Sequence, residues 1–361
     1  MAVDTRQLGR SGIEVSALGM GCWAIGGPWA EGARPLGWGR VDDDESVRAV
    51  RRALDLGVTL FDTADTYGAG HGERVLGRAL AGRRDEAVIA TKFGYTFDER
   101  TRQATGENAS PHYLRRAVTG SLRRLGTDRI DLYQLHLGDL PLPRAEALIG
   151  TLDDLVDAGL IRAYGWSTDR ADRAAAFAQV ARGAAAVQHA LSVLRDAPAM
   201  LDVCDKHDLA GLARGPLGMG LLTGKYTPES TLPRDDVRGL GPTWLEWFRS
   251  GRPAPEWLRR VAAVRDALTA DGRTLAQGAI GWIWARSDRA VPIPGARTVA
   301  QVEENAAALA RGPLAPDHFA EVERQLAAVR SAALRDADRP HWPMPPARGR
   351  RGVRGEVPGR R

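Results

Sequence analysis

Eight short apolar runs recur along the 361-residue chain and constrain its fold more than any other feature; they occupy residues 17–21, 58–61, 87–91, 130–135, 161–166, 184–187, 209–213 and 290–293. The runs are continuously apolar rather than alternating, which is typical of parallel strands covered on both faces. Amphipathic segments separate most of them, and strand–helix alternation predicts βαβ units. Eight such units favour a closed (β/α)8 barrel of the α/β class. An open doubly wound sheet is the alternative.

Four of the segments between runs carry clear helix boundaries. A capping residue or acidic first turn begins each helix, and glycine often follows its end. These segments are 42–57 with acids in its first turn and Gly57, 110–126 with Ser110, Pro111 and Gly126, 143–159 with Gly159, and 298–310 beginning at Thr298.

Turn residues at the N-terminus predict a β-hairpin, QLGRSGIEVSALG, that closes the bottom of the barrel. Three long segments, 24–41, 93–109 and 226–256, fit neither strand nor helix. Long loops in a compact domain are usually functional or mobile, so we expect them at the C-terminal face of the barrel.

The distribution of charge divides the chain into two parts. Residues 340–361 contain six Arg and one Glu, which is the whole net charge of +5. This Pro-, Gly- and Arg-rich stretch predicts a disordered basic tail after a barrel domain at 1–339. The barrel domain itself is neutral and shows no charged face for nucleic acid. Weak binding of polyanions by the tail is the less favoured alternative.

Several features indicate a cytoplasmic protein. No apolar run approaches the ~20 residues that span a bilayer. The first residues, MAVDTRQLGR, lack the apolar segment of a signal peptide, so we expect no membrane association. Cys22 and Cys204 are far apart in the sequence and are expected to be free thiols.

Polar residues stand where the apolar runs end: Asp62, Lys92, His136, Ser167, Thr168, Gln188, Arg214 and Gly295. A (β/α)8 barrel gathers the carboxyl ends of its strands at one face, where enzymes of this fold keep their chemistry. We therefore expect these residues to converge, together with Tyr67 in the loop after Asp62.

Four of these residues form a chemically coherent set. Lys92 beside Tyr67 would lower the pKa of the phenol, and Asp62 would hold Lys92 charged and oriented. His136 would donate a hydrogen bond to a substrate oxygen. Singly, each has a common structural explanation, but together they provide a general acid beside an oxyanion-binding corner. That equipment suits the protonation of an alkoxide formed on a carbonyl.

Other motifs do not fit their usual context. Residues 19–24 formally match G-x-G-x-x-A, but the following GGPW cannot open a helix, so a Rossmann site is excluded. GLLTGKY is too short for a P-loop. Neither a zinc-binding cluster nor a hydrolase elbow occurs, and no metal is expected.

The segments LFDTADTYGAG, VIATKFG, IDLYQLH, IRAYGWST, AVQ, GPLGMGLLTGKY and VPIPGARTVAQVEEN resemble, in order, the motifs of the aldo-keto reductase superfamily. The resemblance covers about residues 5–330. It implies a (β/α)8 barrel that uses NAD(P)H without a Rossmann domain. It also implies that Asp62, Tyr67, Lys92 and His136 are the catalytic tetrad, with Tyr67 as general acid and His136 orienting the carbonyl.

The resemblance further implies a set of cofactor-binding residues: Trp23, Ser167, Thr168, Gln188, Arg214, Pro216, Leu217, Lys225, Gly295, Arg297, Gln301, Glu304 and Asn305. Of these, Ser167, Thr168 and Gln188 match positions that hold the nicotinamide carboxamide. Arg297 suits a 2′-phosphate, which favours NADPH over NADH.

The chain departs from the family pattern at two positions. Arg214 stands where many members have an aromatic residue that stacks on nicotinamide, and Leu191 replaces a tyrosine.

The predicted substrate residues are Trp23, Trp29 and Tyr95, with Trp38 and residues 244–248 as further candidates. The expected function is NADPH-dependent reduction of a small aldehyde or ketone. A slowly turning-over sensor or regulatory subunit of the same fold is the alternative, and oligomeric state and substrate stay open.

Overall fold

The computed structural model of the chain describes residues 4–240 and 245–337. Its strands within these ranges are β1 Thr5–Gln7, β2 Glu14–Ser16, β3 Gly19–Gly21, β4 Ala30–Glu31, β5 Arg34–Pro35, β6 Leu60–Asp62, β7 Val88–Phe93, β8 Tyr95–Asp98, β9 Gln103–Glu107, β10 Ile130–Leu135, β11 Ile161–Ser167, β12 Ala184–Ala190, β13 Ala210–Arg214, β14 Phe248–Arg249, β15 Arg252–Pro253 and β16 Ala290–Pro292. Its α-helices are α1 Asp43–Asp55, α2 His71–Leu80, α3 Pro111–Leu125, α4 Leu142–Glu146, α5 Ile149–Asp157, α6 Ala171–Val180, α7 Pro198–His207, α8 Pro255–Thr269, α9 Leu275–Arg286, α10 Val299–Ala306 and α11 Pro316–Ala337.

Eight parallel strands form the central sheet in the order β16-β13-β12-β11-β10-β7-β6-β3. Each predicted apolar run contributes one of them. The two ends of the sheet meet where Gly21 bridges Gly295 and the Gly21 amide donates to the Pro294 carbonyl at 2.9 Å. The predicted (β/α)8 barrel is therefore confirmed, and the open sheet is wrong.

The predicted N-terminal hairpin is also confirmed. Strands β1 and β2 pair antiparallel. Leu8, Ile13 and Val15 of this hairpin are buried in one apolar cluster with barrel-lining residues such as Leu132 and Leu212. The hairpin therefore closes the bottom of the barrel and leaves the other end to the polar residues.

Three of the four predicted helices are confirmed, each with its predicted first-turn residues. Asp42 caps α1, Ser110 caps α3, and Thr298 caps α10, each by accepting from backbone amides of the first turn. The single helix expected over 143–159 is wrong, because the chain forms α4 and α5 with a turn between them. At that turn the Leu148 amide donates to the Ala145 carbonyl, three residues back instead of four.

The long segments at the top of the barrel are more regular than the sequence suggests. Residues 24–41 and 93–109 contribute strands to one small sheet, ordered β5-β4-β9-β8. The third segment contains the short hairpin β14–β15, in which Phe248 is buried, as is Trp247 directly before it. Trp244 lies outside the described residues.

The C-terminal tail and the question of membrane-spanning helices depend on which residues the structure describes. The predicted tail at 340–361 lies outside the described residues, so the division at 339 stays a prediction. No α-helix in the described ranges is both long enough and apolar enough to cross a membrane.

Candidate active site

Side chains of the expected set gather at the carboxyl ends of the barrel strands. The twofold alternation of a strand directs every second residue inward. On and just after β10, Leu132 lies in the apolar cluster inside the barrel, Gln134 contacts Asp62, and His136 packs against Tyr67. The polar site thus stands directly on the apolar interior of the barrel.

Three members of the predicted tetrad are in direct contact. Lys92 Nζ lies 2.7 Å from Asp62 Oδ2, 2.8 Å from the Thr63 carbonyl and 3.3 Å from the Tyr67 hydroxyl. An ammonium has three hydrogens and no acceptor, so these contacts use all of its donors. The Tyr67 oxygen is consequently an acceptor toward Lys92, and its own hydrogen remains free for another acceptor.

The loop that carries Tyr67 is glycine-rich because two backbone segments touch there. Gly68 has φ +62°, and a Cβ on it would lie 1.8 Å from the Gly26 carbonyl oxygen. A Cβ on Gly26 would in turn meet the Tyr67 backbone at 2.9 Å. These close approaches seat the phenol beside the loop that follows β3.

The protonation states differ in part from the sequence-based expectation. Burial by itself disfavours the charged form of Lys92, but Asp62 and Tyr67 outweigh it and raise the pKa of Lys92. For Tyr67, burial raises the pKa and outweighs the opposing effect of Lys92, so the net shift is upward. Lys92 thus has the expected lowering effect on the pKa of Tyr67, but burial outweighs it, and the phenol is held protonated at neutral pH.

His136 completes the predicted tetrad as a neutral group. Its ring lies edge-on to Tyr67 with centroids 6.0 Å apart, and Tyr95 packs on it at 5.2 Å. Burial and the positive charges of Lys92 and Arg214 lower the pKa of His136 well below its ordinary value. A neutral imidazole can donate one hydrogen bond, but it carries no extra proton to deliver.

The second oxygen of Asp62 is bonded by two buried amides. Gln188 Nε2 donates to Asp62 Oδ1 at 2.7 Å, and Gln134 Nε2 donates to the same atom at 3.3 Å. Gln134 was not among the expected site residues. Its place inside an apolar-looking run, IDLYQL, was the available signal.

Aromatic residues form one wall of the site. Trp23 stacks on Tyr67 with ring centroids 5.9 Å apart, and Trp38 meets Trp23 edge-on at 5.3 Å. Trp29 lies in the same loop, and its partly buried indole shows no contact with the tetrad. Of the predicted substrate residues, the structure thus brings Trp23 and Tyr95 to the tetrad but not Trp29.

Residues at the ends of β11, β12 and β13 form a second side of the site. Ser167 pairs with Gln188 in register, and Thr168 Oγ1 donates to the Gly138 carbonyl at 2.7 Å. Arg214 ends β13, and its guanidinium lies 2.6 Å from Asp169, a residue missed by sequence reasoning.

Positive side chains converge where the barrel closes. Burial together with the charges of Arg238 and Arg297 lowers the pKa of Lys225. Arg238 is paired with Asp236 at 2.6 Å, whereas Lys225 and Arg297 have no carboxylate partner among the described residues. Two cations that lack a carboxylate partner and influence each other's charge suit an anionic ligand. Arg238 was missed because its burial depends on a loop conformation that no motif specifies.

The remaining predicted cofactor residues lie near this group. Pro216 and Leu217 are buried after β13, while Gly295 is exposed beside Gly21 of the closing bridge. In α10, Gln301 accepts from the Arg297 amide at 3.0 Å, Glu304 is half-buried, and Asn305 is buried.

Comparison with known proteins identifies the family. The aldo/keto reductase family model matches residues 17–327. The aldo-keto reductase yakc of Schizosaccharomyces pombe, whose name specifies NADP(+), is 32% identical over 321 residues, which covers 86% of this chain and 87% of that protein. The chain belongs to the aldo/keto reductase family. It is therefore an oxidoreductase.

Solved structures of the family share the fold. Glycerol dehydrogenase AKR11B4 from Gluconobacter oxydans is 31% identical with a TM-score of 0.73, covering 96% of this chain and 100% of that one. An aldo/keto reductase from Klebsiella pneumoniae in complex with NADP and acetate is 26% identical with a TM-score of 0.63, covering 90% and 95% respectively.

Glu73, Arg124 and Glu99 form a chain of ion pairs in this aldo/keto reductase that was also missed by sequence reasoning. Glu73 accepts from Thr91 Oγ1 at 2.6 Å and from Arg124 Nε at 2.7 Å. Arg124 also reaches Glu99, 2.9 Å away in the turn between β8 and β9. The strand pair that carries Tyr95 is thereby tied to the neighbour of Lys92.

Proposed function

We propose that this chain is a cytoplasmic NADPH-dependent reductase that converts a small aldehyde or ketone to an alcohol by hydride transfer. The observation that carries the proposal is the Tyr67 hydroxyl, which accepts from Lys92 and keeps its own hydrogen available. Free, unbridged Cys22 and Cys204 support a reducing compartment.

Tyr67 would act as the general acid. Its pKa is raised by burial, so it holds a proton at neutral pH. When the substrate oxygen gains negative charge, Tyr67 would donate that proton, and the resulting phenolate would be stabilised by Lys92 at 3.3 Å. Asp62 would keep Lys92 charged and directed at Tyr67.

His136 would orient the carbonyl rather than protonate it. The lowered pKa of His136 keeps the ring neutral, which separates its role from that of Tyr67. Together the phenol and the imidazole would supply two hydrogen bonds to one oxygen, a preorganised corner for developing negative charge. Trp23 and Tyr95, which flank them, would shape the pocket for the rest of the substrate.

The donors and acceptors at the rim fit a nicotinamide dinucleotide, which would supply the hydride. Gln188 turns its NH2 group toward Asp62, so its carbonyl oxygen is the atom left to accept from a carboxamide. Ser167 and Thr168 lie beside it. Lys225 and Arg297 would bind phosphate groups, with Arg297 favouring the 2′-phosphate of NADPH.

The proposal is tested by NADPH consumption with a panel of aldehydes, ketones and quinones, and with NADH in parallel. We expect consumption with at least one carbonyl class and a preference for NADPH. Bound NADPH with no consumption across the panel would contradict the reductase proposal and support a slow-turnover sensor.

A further inference from the structure

Gln134 is a fully buried amide in the middle of the catalytic network. It has 0% exposure, lies in register with Lys92 on the neighbouring strand, and follows the apolar Leu132 inside the barrel. Its Nε2 donates to Asp62 Oδ1 at 3.3 Å, and its Oε1 lies 3.5 Å from Gln188 Nε2. The functional roles derived above do not use it.

The orientation of both amides follows from the chemistry of their common partner. An ionised carboxylate accepts hydrogen bonds but donates none. Gln134 and Gln188 must therefore both turn NH2 toward Asp62. The two hydrogens of Gln188 Nε2 are then taken by Asp62 at 2.7 Å and by Gln134 Oε1 at 3.5 Å.

Packing alone does not account for an amide at this position. Burying an amide is costly unless hydrogen bonds replace its contacts with water. Gly165 faces Gln134 from the next strand, and a Cβ on it would lie 3.7 Å from Gln134 Cγ. An unbranched apolar side chain of similar length, such as methionine, would fill this position without the cost of burying an amide.

We propose that Gln134 is a positioning residue: it holds Asp62 Oδ1 in place and fixes the Gln188 amide with its carbonyl oxygen toward the cofactor side. The catalytic part of this inference rests on the proposed reductase function. Through Asp62, Gln134 keeps Lys92 directed at Tyr67. Through Gln188, it presets one acceptor for the nicotinamide carboxamide.

The contact itself is tested by a double-mutant cycle that needs no turnover. We expect Gln134→Met to lower the Tm by about 2–4 °C, which corresponds to one lost hydrogen bond to a charged group. In an Asp62→Asn background the same substitution should lower the Tm by less than half as much. Equal losses in both backgrounds would overturn the proposed contact.

The functional consequence is tested by kinetics and by NADPH titration of the same variants. Gln134→Met should lower kcat about tenfold, leave the carbonyl KM within twofold, and raise the NADPH Kd severalfold as Gln188 loses its orientation. In Gln134→Glu, the introduced carboxyl would compete with Asp62 for one proton. Activity of that variant should therefore fall more steeply than wild type as the pH rises.

Tyr133→Phe is the matched control on the adjacent residue of β10. It removes a hydroxyl that is equally buried and has no hydrogen-bond partner among the described residues. The Tm, the kcat and the NADPH Kd should therefore stay at wild-type values. If Gln134→Met retains kcat and the NADPH Kd within twofold, the positioning role is wrong. If the wild-type protein reduces no carbonyl, the proposed function fails, and the stability cycle still decides the Gln134 contact.

Discussion

The Asp62–Lys92 pair inside the barrel and the Asp169–Arg214 pair at its rim combine the same charges in opposite surroundings. The interior side chains are 4% and 0% exposed, and every donor of Lys92 has an acceptor. The rim side chains are 33% and 42% exposed. Their carboxylate is shared with Arg195 at 3.3 Å.

This difference separates two uses of charge in one site. A buried pair is screened by salt much less than an exposed one, so its charges act more strongly on Tyr67. A rim pair is hydrated and screened, and it adds little to stability. It leaves guanidinium groups available for an anionic ligand. We therefore propose that the interior pair serves proton delivery and that the rim serves cofactor binding.

The largest effect is expected from breaking the interior pair. Lys92→Met leaves Asp62 as an uncompensated buried charge and should destabilise the fold by about 3–5 kcal/mol. Urea unfolding measures this loss. The double variant Asp62→Asn/Lys92→Met should recover much of the stability and none of the activity. A loss below about 1 kcal/mol in the single variant would show that the interior pair contributes no more to the free energy of unfolding than the rim pair does.

Buried His189, which forms no ion pair among the described residues, extends the comparison through its pH dependence. Burial lowers the pKa of His189 to about 4. The unfolded chain takes up this proton near pH 6.5, so stability is full above that pH and falls as the pH drops toward 4. By pH 5 the loss should reach about 2 kcal/mol.

Unfolding midpoints at pH 7.5 and pH 5 measure this effect. The difference between them should shrink in His189→Gln, and the same substitution at exposed His112 controls for the loss of one histidine. An unchanged difference in His189→Gln would show that other groups carry the acid sensitivity.

The free rim cations should act on cofactor affinity instead of stability. Arg297→Gln should raise the NADPH Kd about tenfold, because one charge-assisted hydrogen bond is lost, and leave the NADH Kd within twofold. The effect should shrink in high salt, since exposed charges are screened. Fluorescence titration measures both constants. Equal losses for the two cofactors would contradict a 2′-phosphate role for Arg297.

The smallest effect is expected from the rim pair itself. Arg214→Gln should change the free energy of unfolding by less than about 1 kcal/mol, because the pair is exposed and Arg195 still faces Asp169. The same urea unfolding assay used for Lys92→Met makes the comparison direct. A loss of several kcal/mol would show that the rim pair is structural.

The barrel and most of the tetrad geometry were predictable because they depend on local pattern and topology. Continuous apolar runs specify buried strands, and a parallel barrel must bring their ends together. The small sheet of β4, β5, β8 and β9 was not predictable. Its strands are as short as two residues and largely polar, and Ala30 pairs with Gln103, which is remote in the sequence.

The net direction of the pKa shift of Tyr67 also could not be predicted from the sequence. That Lys92 would contact Tyr67 was expected, but the net direction of the Tyr67 pKa depends on how completely the phenol is buried. The amide of Gln134 and the buried guanidinium of Arg238 are similar cases. Their roles depend on which partner each side chain meets in three dimensions.

We propose above all that Tyr67, held by the interior pair, delivers the proton. The most direct test is single-turnover hydride transfer from bound NADPH in wild type and Tyr67→Phe, with the NADPH Kd measured for both. We predict a rate loss of about 10²- to 10⁴-fold with the Kd unchanged within threefold. A Tyr67→Phe rate within tenfold of wild type would contradict the account.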